Sequence, residues 1–448
     1  MNFRRASFFI FGSRTAAFVL QASGGLLVAR LLGPAGRGEL ALLFLLPTII
    51  AMVLGLGIGT SNAYFASHAS KQRAAFLSSF GKRFSFDQLY YNSLWLGALF
   101  GLAGTVIIIA AEDWVIDTFM RGVSPENMRL AMLTVPLLLF YNFFQGLAQG
   151  EQRYRIYNGV VVLRPFFFLF AFILVFLLFG DGLKAGLWAY SLCYVVPVLW
   201  LIIGLRPRRA ESHRLSGGFL TAQIRIGLPS YIAELLGYLF FRVSLLLIGH
   251  FLDGEQAGYF AIVILITESM WFLSNSVSAA LLPEAAGRSM NELCLLVPKV
   301  VRHIVFLTAC GAAFLFIIDG WLIGLAFGKG FLPAVSPLHW LYPGIVAASA
   351  AKVFASYLLS QGRPHLTAMI GGAGMIANIL LAVWLIPFYG ISGAAIAASC
   401  SYILMTLLMG IRFVWETHAP VSRLLWLSRE DFLFYRNAIA LLKTRARF

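Results

Sequence analysis

Charged residues are scarce in this chain of 448 residues. Asp, Glu, Lys and Arg together make up 12% of it, whereas hydrophobic residues make up 60%. An ordinary soluble domain carries about 25% charged and about 45–50% apolar residues, so a soluble fold could not cover its surface with polar groups here. The segment 40–66 has no charge and exceeds the about 20 residues that a membrane-spanning helix needs. The sequence therefore predicts an all-α polytopic membrane protein.

Motifs that would indicate a metal, a nucleotide or a catalytic group are also missing. The four cysteines have no CxxC spacing, and the seven histidines are scattered without an HExxH pattern, so we expect buried thiols and no metal site. The segment GLAFGKG (324–330) has three residues between its first two glycines and lacks the Ser or Thr of a P-loop. We therefore expect no cofactor, no catalytic residue and no enzyme activity.

Apolar windows between charged or Gly/Pro-rich breaks define the predicted membrane spans. Twelve spans result, with approximate cores at 8–31, 39–66, 88–111, 128–150, 157–179, 184–205, 227–250, 257–282, 298–318, 338–360, 366–387 and 392–415. The breaks between them are too short for a separate folded domain. The largest predicted outer loops, 112–127 and 319–337, offer the acids Glu112, Asp113, Asp117 and Asp319. These loops leave little room for the active site of a polysaccharide polymerase or glycosyltransferase.

The distribution of basic residues orients these spans. If the N-terminus is cytoplasmic, 24 of the 34 Lys and Arg residues lie in cytoplasmic segments, 6 lie on the opposite side and 4 lie within spans. Cytoplasmic loops of membrane proteins carry such an excess, so we expect both termini in the cytoplasm of a bacterial cell, below its inner membrane. The net charge of +15 then favours contact with anionic lipid headgroups, at about 1 kcal/mol per basic residue, rather than with nucleic acid.

Two segments 220 residues apart resemble each other. RLLGPAGRGELALLFLLP (30–47) and HFLDGEQAGYFAIVILIT (250–267) share four identical positions when aligned without a gap: Leu32/Leu252, Gly38/Gly258, Ala41/Ala261 and Leu45/Leu265. Further on, AQGEQRYR (148–155) resembles SQGRPHL (360–366), and Gly180 corresponds to Gly390. In the first of these segments, Gly33, Pro34, Gly36 and Gly38 are expected to break the helix and turn the chain back.

The repeat predicts the domain organisation. Six spans separate each matched pair, and because six is even the two halves have the same orientation in the membrane. We expect two pseudo-symmetric six-helix lobes around a central cavity. The predicted boundaries are 1–205 for the first lobe, 206–226 for a cytoplasmic linker, 227–415 for the second lobe and 416–448 for a cytoplasmic tail. Arg429, Arg436 and Lys443 recur every seven residues in this tail, which is typical of an amphipathic surface helix, and 71–83 is a candidate for a shorter one.

These motifs resemble those of a known family. ARLLGPAGRGELALLFLLP after the first span, the glycine-rich LGLGIGTSNAYF, the QG pairs after spans 4 and 10, and YGISGAAIA before span 12 are similar to the polysaccharide, O-antigen flippase-like branch of the multidrug/oligosaccharidyl-lipid/polysaccharide (MOP) exporter superfamily. The resemblance implies a two-lobed transporter that turns polyprenyl-pyrophosphate-linked saccharides from the cytoplasmic to the outer leaflet. Expected partners are that glycan, membrane lipids and other polysaccharide-assembly proteins.

Four basic residues fall within predicted spans, where each costs at least about 2.5–3.5 kcal/mol unless it faces a partner or a watery cavity. Arg14 and Arg164 lie roughly 10 Å from the cytoplasmic edge, Lys352 about 12 Å from it, and Arg242 at mid-span or beyond, at 1.5 Å per residue. Cations at these depths suit a pyrophosphate that enters from the cytoplasm. The alternative is that Arg14 and Lys352 snorkel to the surface and that Arg164 packs at a helix end next to Pro165.

Two acidic residues, Glu234 and Glu268, also fall within spans. We expect Glu234 to pair with Arg242 or Arg14, and Glu268 is a candidate coupling site for a proton or sodium ion. The tally of four basic to two acidic residues favours an anionic substrate over the cationic substrate of a drug antiporter. It leaves a lipid-linked peptidoglycan precursor open as an alternative to a polysaccharide precursor.

Overall fold

The computed structural model describes residues 3–69, 85–120, 122–207, 217–420 and 422–425. Within these ranges all regular structure is helical, as the composition predicts. The first eight helices are α1 (Phe3–Gly55), α2 (Ile58–Ala69), α3 (Phe86–Ala110), α4 (Glu112–Phe119), α5 (Pro125–Met132), α6 (Thr134–Gly150), α7 (Tyr154–Phe179) and α8 (Gly182–Leu205). The remainder are α9 (Gly217–Phe251), α10 (Gly254–Ala285), α11 (Met290–Ala326), a 3-10 turn (Lys329–Ala334), α12 (Val335–Ser360), α13 (Pro364–Thr417) and α14 (Ser422–Leu425).

The number of membrane crossings agrees with the sequence. Ten helical segments in the described ranges are long and apolar enough to cross a membrane. Two of them, α1 and α13, contain a break at Gly33 and Gly390, where φ is 67° and 57°. Each broken helix supplies two crossings, which brings the total to the twelve that were predicted.

The break in α1 is more local than the sequence suggested. Gly33 alone leaves the helical conformation, whereas Gly36 and Gly38 stay helical. Pro34 follows the break directly and opens the second half of the helix. Proline is well suited to that position because the first turn of a helix has no partner for its N–H groups. The expectation that all four residues break the helix was therefore wrong for Pro34, Gly36 and Gly38.

The chain forms two compact units. The first contains the residues up to Ile262 together with Ile323–Pro333, and the second contains Val263–Leu322 and the residues from Ala334 onward. In the first unit α1 packs along α7, α8 and α6, and α2 packs on α6, where a Cβ added to Gly146 would overlap the carbonyl oxygen of Gly59. In the second unit α12 packs along α13. The proposed lobe boundaries at 205 and 227 remain predictions.

The corner after α6 and the corner after α12 share one backbone hydrogen-bonding pattern. Arg153 N donates to Ala148 O and Arg363 N donates to Leu358 O, both at 3.0 Å. Gln152 and Gly362 take positive φ values of 56° and 70°. The two corners are therefore equivalent at an offset of 210 residues. Pairing the two QG dipeptides gives an offset of 212 and shifts the true correspondence by two residues.

Two predicted surface helices lie outside the described residues. The segment 71–83 falls wholly in the gap after α2, and the basic repeat of the tail, Arg429, Arg436 and Lys443, follows Leu425. The part of the tail that is described continues α13 to Thr417, where His418 takes a left-handed conformation and ends the helix.

Candidate functional site

Arg164 is the best-ordered of the predicted substrate-binding cations. It lies on α7, which continues helically through Pro165 to Phe179, so the alternative that it packs at a helix end was wrong. Its Nη1 donates to the hydroxyl of Tyr194 on α8 at 3.1 Å, and its Nη2 donates to Oε1 of Gln21 on α1 at 3.5 Å. The half-buried guanidinium is thus held between three helices of the first unit. These bonds use two of its five N–H donors.

Tyrosines extend from Arg164 into the first unit. The ring of Tyr194 packs edge-on against Tyr190 at 5.8 Å and against Tyr141 at 5.4 Å, measured between centroids. The hydroxyl of Tyr190 lies 2.9 Å from Oγ1 of Thr48 and donates to Phe44 O at 3.2 Å. Buried tyrosine hydroxyls that are satisfied in this way fix the rings and hence the guanidinium they contact.

Arg242 lies at the other end of this group of tyrosines. Its guanidinium carbon is 5.8 Å from the centroid of Tyr238 on α9, and Tyr238 interacts electrostatically with Tyr190. Arg242 is half-buried, as expected for a residue too deep to snorkel. The structure therefore brings Arg164 and Arg242 into one group, in which Tyr194, Tyr190 and Tyr238 connect them. We call these five residues the arginine–tyrosine cluster.

Arg14 lies on the approach to this cluster. It is exposed on α1, seven residues before Gln21, so the two side chains lie on nearly the same helix face, about 10 Å apart along the axis. The cluster therefore has a third basic residue on the same unit, nearer the predicted cytoplasmic end of the helix.

Lys352 belongs to the second unit and has its own partners. Its Nζ lies 4.7 Å from the ring centroid of Trp271, and Glu268 is its electrostatic partner. Trp271 is fixed by a 3.3 Å hydrogen bond from Nε1 to Ile345 O. The charge of Lys352 is thus offset by Glu268, which suits a phosphate less well than Arg164 or Arg242. The proton or sodium role of Glu268 stays a prediction.

Glu234 is exposed on α9, and its charge acts on the nearby hydroxyl of Tyr231. That hydroxyl packs against Gly55, where an added Cβ would lie 2.7 Å from it. The pairing of Glu234 with Arg242 or Arg14 stays a prediction.

Sequence reasoning missed the tyrosines. A signal was present, because Tyr190 and Tyr194 are four residues apart in predicted span 6 and therefore share a helix face. Their contact with Arg164 depends on how α7 and α8 pack, which a single sequence does not give.

The outer acids were also misplaced. Asp319 lies inside α11 and is only 3% exposed; its Oδ2 accepts a 3.0 Å bond from the Tyr342 hydroxyl and lies 2.8 Å from Nε2 of His339. Glu112 begins α4 and forms an ion pair with Arg129. The guanidinium of Arg129 lowers the pKa of the Glu112 carboxyl below its usual value. Both acids are structural partners rather than loop residues, because the segments predicted as loops are largely helical.

Comparison with known proteins decides the family. A family described as polysaccharide biosynthesis protein matches residues 27–336, which is well over half of the chain. The chain belongs to this family. The matched segment includes the whole arginine–tyrosine cluster.

Individual members and solved structures agree with this assignment. The chain is 24% identical over 239 residues to a probable low-salt glycan biosynthesis flippase, Agl15, from Haloferax volcanii; the match covers 52% of this chain and 50% of that relative. The chain thus matches only about half the length of this relative. Among solved structures, a lipid II flippase MurJ in an inward closed conformation superposes with a TM-score of 0.75 at 13% identity, covering 98% of this chain and 96% of the other.

A second solved structure has the same fold. An inward-facing multidrug resistance MATE family transporter of the MOP superfamily superposes with a TM-score of 0.72 at 17% identity, covering 90% of this chain and 94% of the other. This polysaccharide biosynthesis family member therefore has the MOP-superfamily fold that the sequence motifs indicated.

Proposed function

We propose that this protein is a flippase that moves a polyprenyl-pyrophosphate-linked oligosaccharide from the cytoplasmic to the outer leaflet by alternating access. The observation that carries the proposal is the arginine–tyrosine cluster, in which Arg164 and Arg242 lie within membrane-spanning helices of one unit. Transport of this kind needs binding and movement but no covalent chemistry, so no catalytic residue is assigned.

The balance of charge supports an anionic substrate. Guanidinium groups bind phosphate oxygens through paired N–H donors, which a lysine cannot do. Lys352 is offset by Glu268, so the uncompensated basic character lies on Arg14, Arg164 and Arg242. We assign the diphosphate to Arg164 and Arg242, with Arg14 attracting it from the cytoplasmic side.

The protein's surroundings follow from this function. The family membership and the Agl15 match support a glycan precursor, and the positive-inside distribution supports a bacterial cytoplasmic membrane with both termini inside. Other polysaccharide-assembly proteins would supply the lipid-linked saccharide and consume it after transport.

A lipid-linked peptidoglycan precursor is the second candidate. Its support is the 0.75 TM-score with a lipid II flippase over nearly the whole chain. The same diphosphate contacts would serve it, because the two substrates differ in the sugar. A drug antiporter is less well supported, since the cluster presents cations rather than carboxylates.

Mass spectrometry of polyprenyl-linked saccharides in membranes with and without the protein tests the substrate class. We expect a complete lipid-linked oligosaccharide to accumulate without the protein and to be cleared by the wild type but not by Arg164→Ala or Arg242→Ala. Arg288→Ala is the matched control, because Arg288 pairs with Glu284 at the surface. Accumulation of a peptidoglycan precursor instead would select the second candidate, and no change in any lipid-linked species would contradict both.

A further inference from the structure

The two segments that revealed the repeat contact each other. A Cβ added to Gly38 on α1 would overlap the carbonyl oxygen of Gly254 on α10, and a Cβ added to Gly258 would overlap the carbonyl oxygen of Pro34. Both glycines are buried. The two helices therefore approach backbone to backbone, at a distance that any larger residue would prevent.

This contact has the symmetry of the sequence repeat. Gly38 corresponds to Gly258 and Pro34 to Gly254 at the offset of 220 residues. Each glycine thus faces the residue that is equivalent to its own neighbour one turn earlier. Such a self-complementary contact arises where equivalent surfaces meet about a two-fold axis, so the contact joins the first repeat to the second.

Arg30 adds a polar contact beside the glycines. Its Nε donates to Ala326 O at 2.6 Å, and its Nη2 donates to Leu325 O. These carbonyls belong to the last turn of α11, where the helix dipole favours a cation. Arg30 is exposed, so water can replace both bonds when they break.

The segment after α11 completes the same surface of the first unit. The ring of Pro34 lies 3.7 Å from a Cβ added to Gly330, and Phe331 packs edge-on against Tyr259 at 6.4 Å between centroids. Residues 323–333 thus pack onto the first unit although the helices on either side belong to the second.

We propose that Gly38, Gly258 and Arg30 form a gate on the membrane side predicted to face away from the cytoplasm. The gate is closed in this structure, and substrate leaves when α1 and α10 separate at the glycines and Arg30 releases the end of α11. A glycine contact buries little side-chain surface, and water can take over the bonds of Arg30, so separation exposes little apolar area. A permanent seam between helices would gain more stability from larger interlocking side chains.

Hydrogen exchange of the purified protein tests the gate without any substrate. The amides of Phe327, Gly328 and Phe331 are hydrogen-bonded in the segment that Arg30 holds. Arg30→Gln should speed their exchange by about tenfold, as expected when a local opening becomes easier, and Arg129→Gln, on the same predicted side, should leave it unchanged. Equal exchange in wild type and Arg30→Gln would overturn the latch.

Alanine substitutions on α10 test the glycine contact separately. Gly258→Ala should speed exchange over 34–40 and 323–333. Gly254→Ala, one turn earlier, should not, because the nearest atom to an added Cβ there is 3.8 Å away. The same exchange in both variants would mean that the contact at Gly258 does not hold the surface closed.

A cross-link connects the gate to transport. In a variant whose four native cysteines are replaced, Pro34→Cys with Gly330→Cys should trap the closed gate, so that transport stops with a short thiol cross-linker and returns on reduction. Gly97→Cys with Phe140→Cys, which joins α3 to α6 within one repeat, is the control and should keep transport. Full transport by the cross-linked gate pair would contradict the gate. Altered exchange in Arg30→Gln and Gly258→Ala without transport of any lipid-linked saccharide by the wild type would uphold the gate and reject the proposed substrate.

Discussion

Arg164 and Tyr194 are joined by a 3.1 Å hydrogen bond between α7 and α8, and the same guanidinium carbon lies 5.8 Å from the Tyr194 ring centroid. One tyrosine therefore contacts Arg164 through both its hydroxyl and its ring. Because Tyr194 is only 3% exposed, it holds the guanidinium in place from the interior of the unit, and the opposite edge of Arg164 can take a phosphate.

Tyr194→Phe should separate the effect of the hydroxyl from that of the ring. The variant keeps the packing but removes one charge-assisted hydrogen bond, which is worth about 1.5–3 kcal/mol. We expect transport to fall by roughly tenfold, since 1.4 kcal/mol corresponds to one factor of ten. The measurement is the initial transport rate, with Tyr389→Phe as the control because Tyr389 is exposed. An unchanged rate would mean that Arg164 is positioned by other contacts.

Arg164→Lys tests whether the charge alone suffices. Lysine retains the positive charge but loses the planar fork that binds two phosphate oxygens and the hydrogen bonds to Tyr194 and Gln21. We expect a transport rate close to that of Arg164→Ala. A rate close to that of the wild type would show that Arg164 acts only as a point charge.

Lys352 and Glu268 should behave as a coupled pair in thermal unfolding. Removing one partner leaves an uncompensated charge within the second unit, a change that typically costs about 3–5 kcal/mol in a buried pair. These residues are half-buried, so we expect a smaller loss for Glu268→Gln and for Lys352→Met. The double variant should be more stable than the sum of the single effects implies. Additive effects in the double-mutant cycle would show that the two charges do not interact.

Gln223 should be a sensitive position for folding stability. Its Nε2 donates to Asn62 Oδ1 at 2.7 Å, and its Oε1 accepts from Asn92 Nδ2 at 3.4 Å. All three residues are at most 1% exposed. Gln223→Met leaves the two asparagines without these partners, and each unsatisfied buried group costs about 1–3 kcal/mol. We expect a clearly lower midpoint of thermal unfolding than for Gln256→Met, because Gln256 is less buried.

The sequence was enough to predict the helices and the repeat because both depend on local patterns. Long apolar windows mark the crossings, and glycines such as Gly33 and Gly390 mark breaks that only a residue tolerating positive φ adopts readily. The prediction erred over Pro34, Gly36 and Gly38 because glycine has two uses. It turns the chain at Gly33, whereas at Gly38 it allows a neighbouring backbone to come close. Single-sequence patterns do not distinguish these uses.

The candidate site was predictable in its charges but not in its contacts. Arg164 and Arg242 stood out because a charge within a span is costly and therefore needs a reason. Which neighbour satisfies each charge depends on helix packing. The structure gives Lys352 an acidic partner in Glu268 and links Arg164 and Arg242 through tyrosines. The misplacement of Asp319 has the same origin, since a buried acid with His339 and Tyr342 as partners has the sequence of a loop acid.

The most direct test of the central claim is a flipping assay with the purified protein in liposomes. Vesicles contain a fluorescent polyprenyl-diphosphate oligosaccharide in both leaflets, and a membrane-impermeant quencher is added outside. We predict that the wild type makes the label of both leaflets accessible, that Arg164→Ala and Arg242→Ala leave the inner leaflet protected, and that Arg288→Ala behaves like the wild type. An inner leaflet that stays protected with the wild type, or that both cluster variants expose at the wild-type rate, would contradict the account.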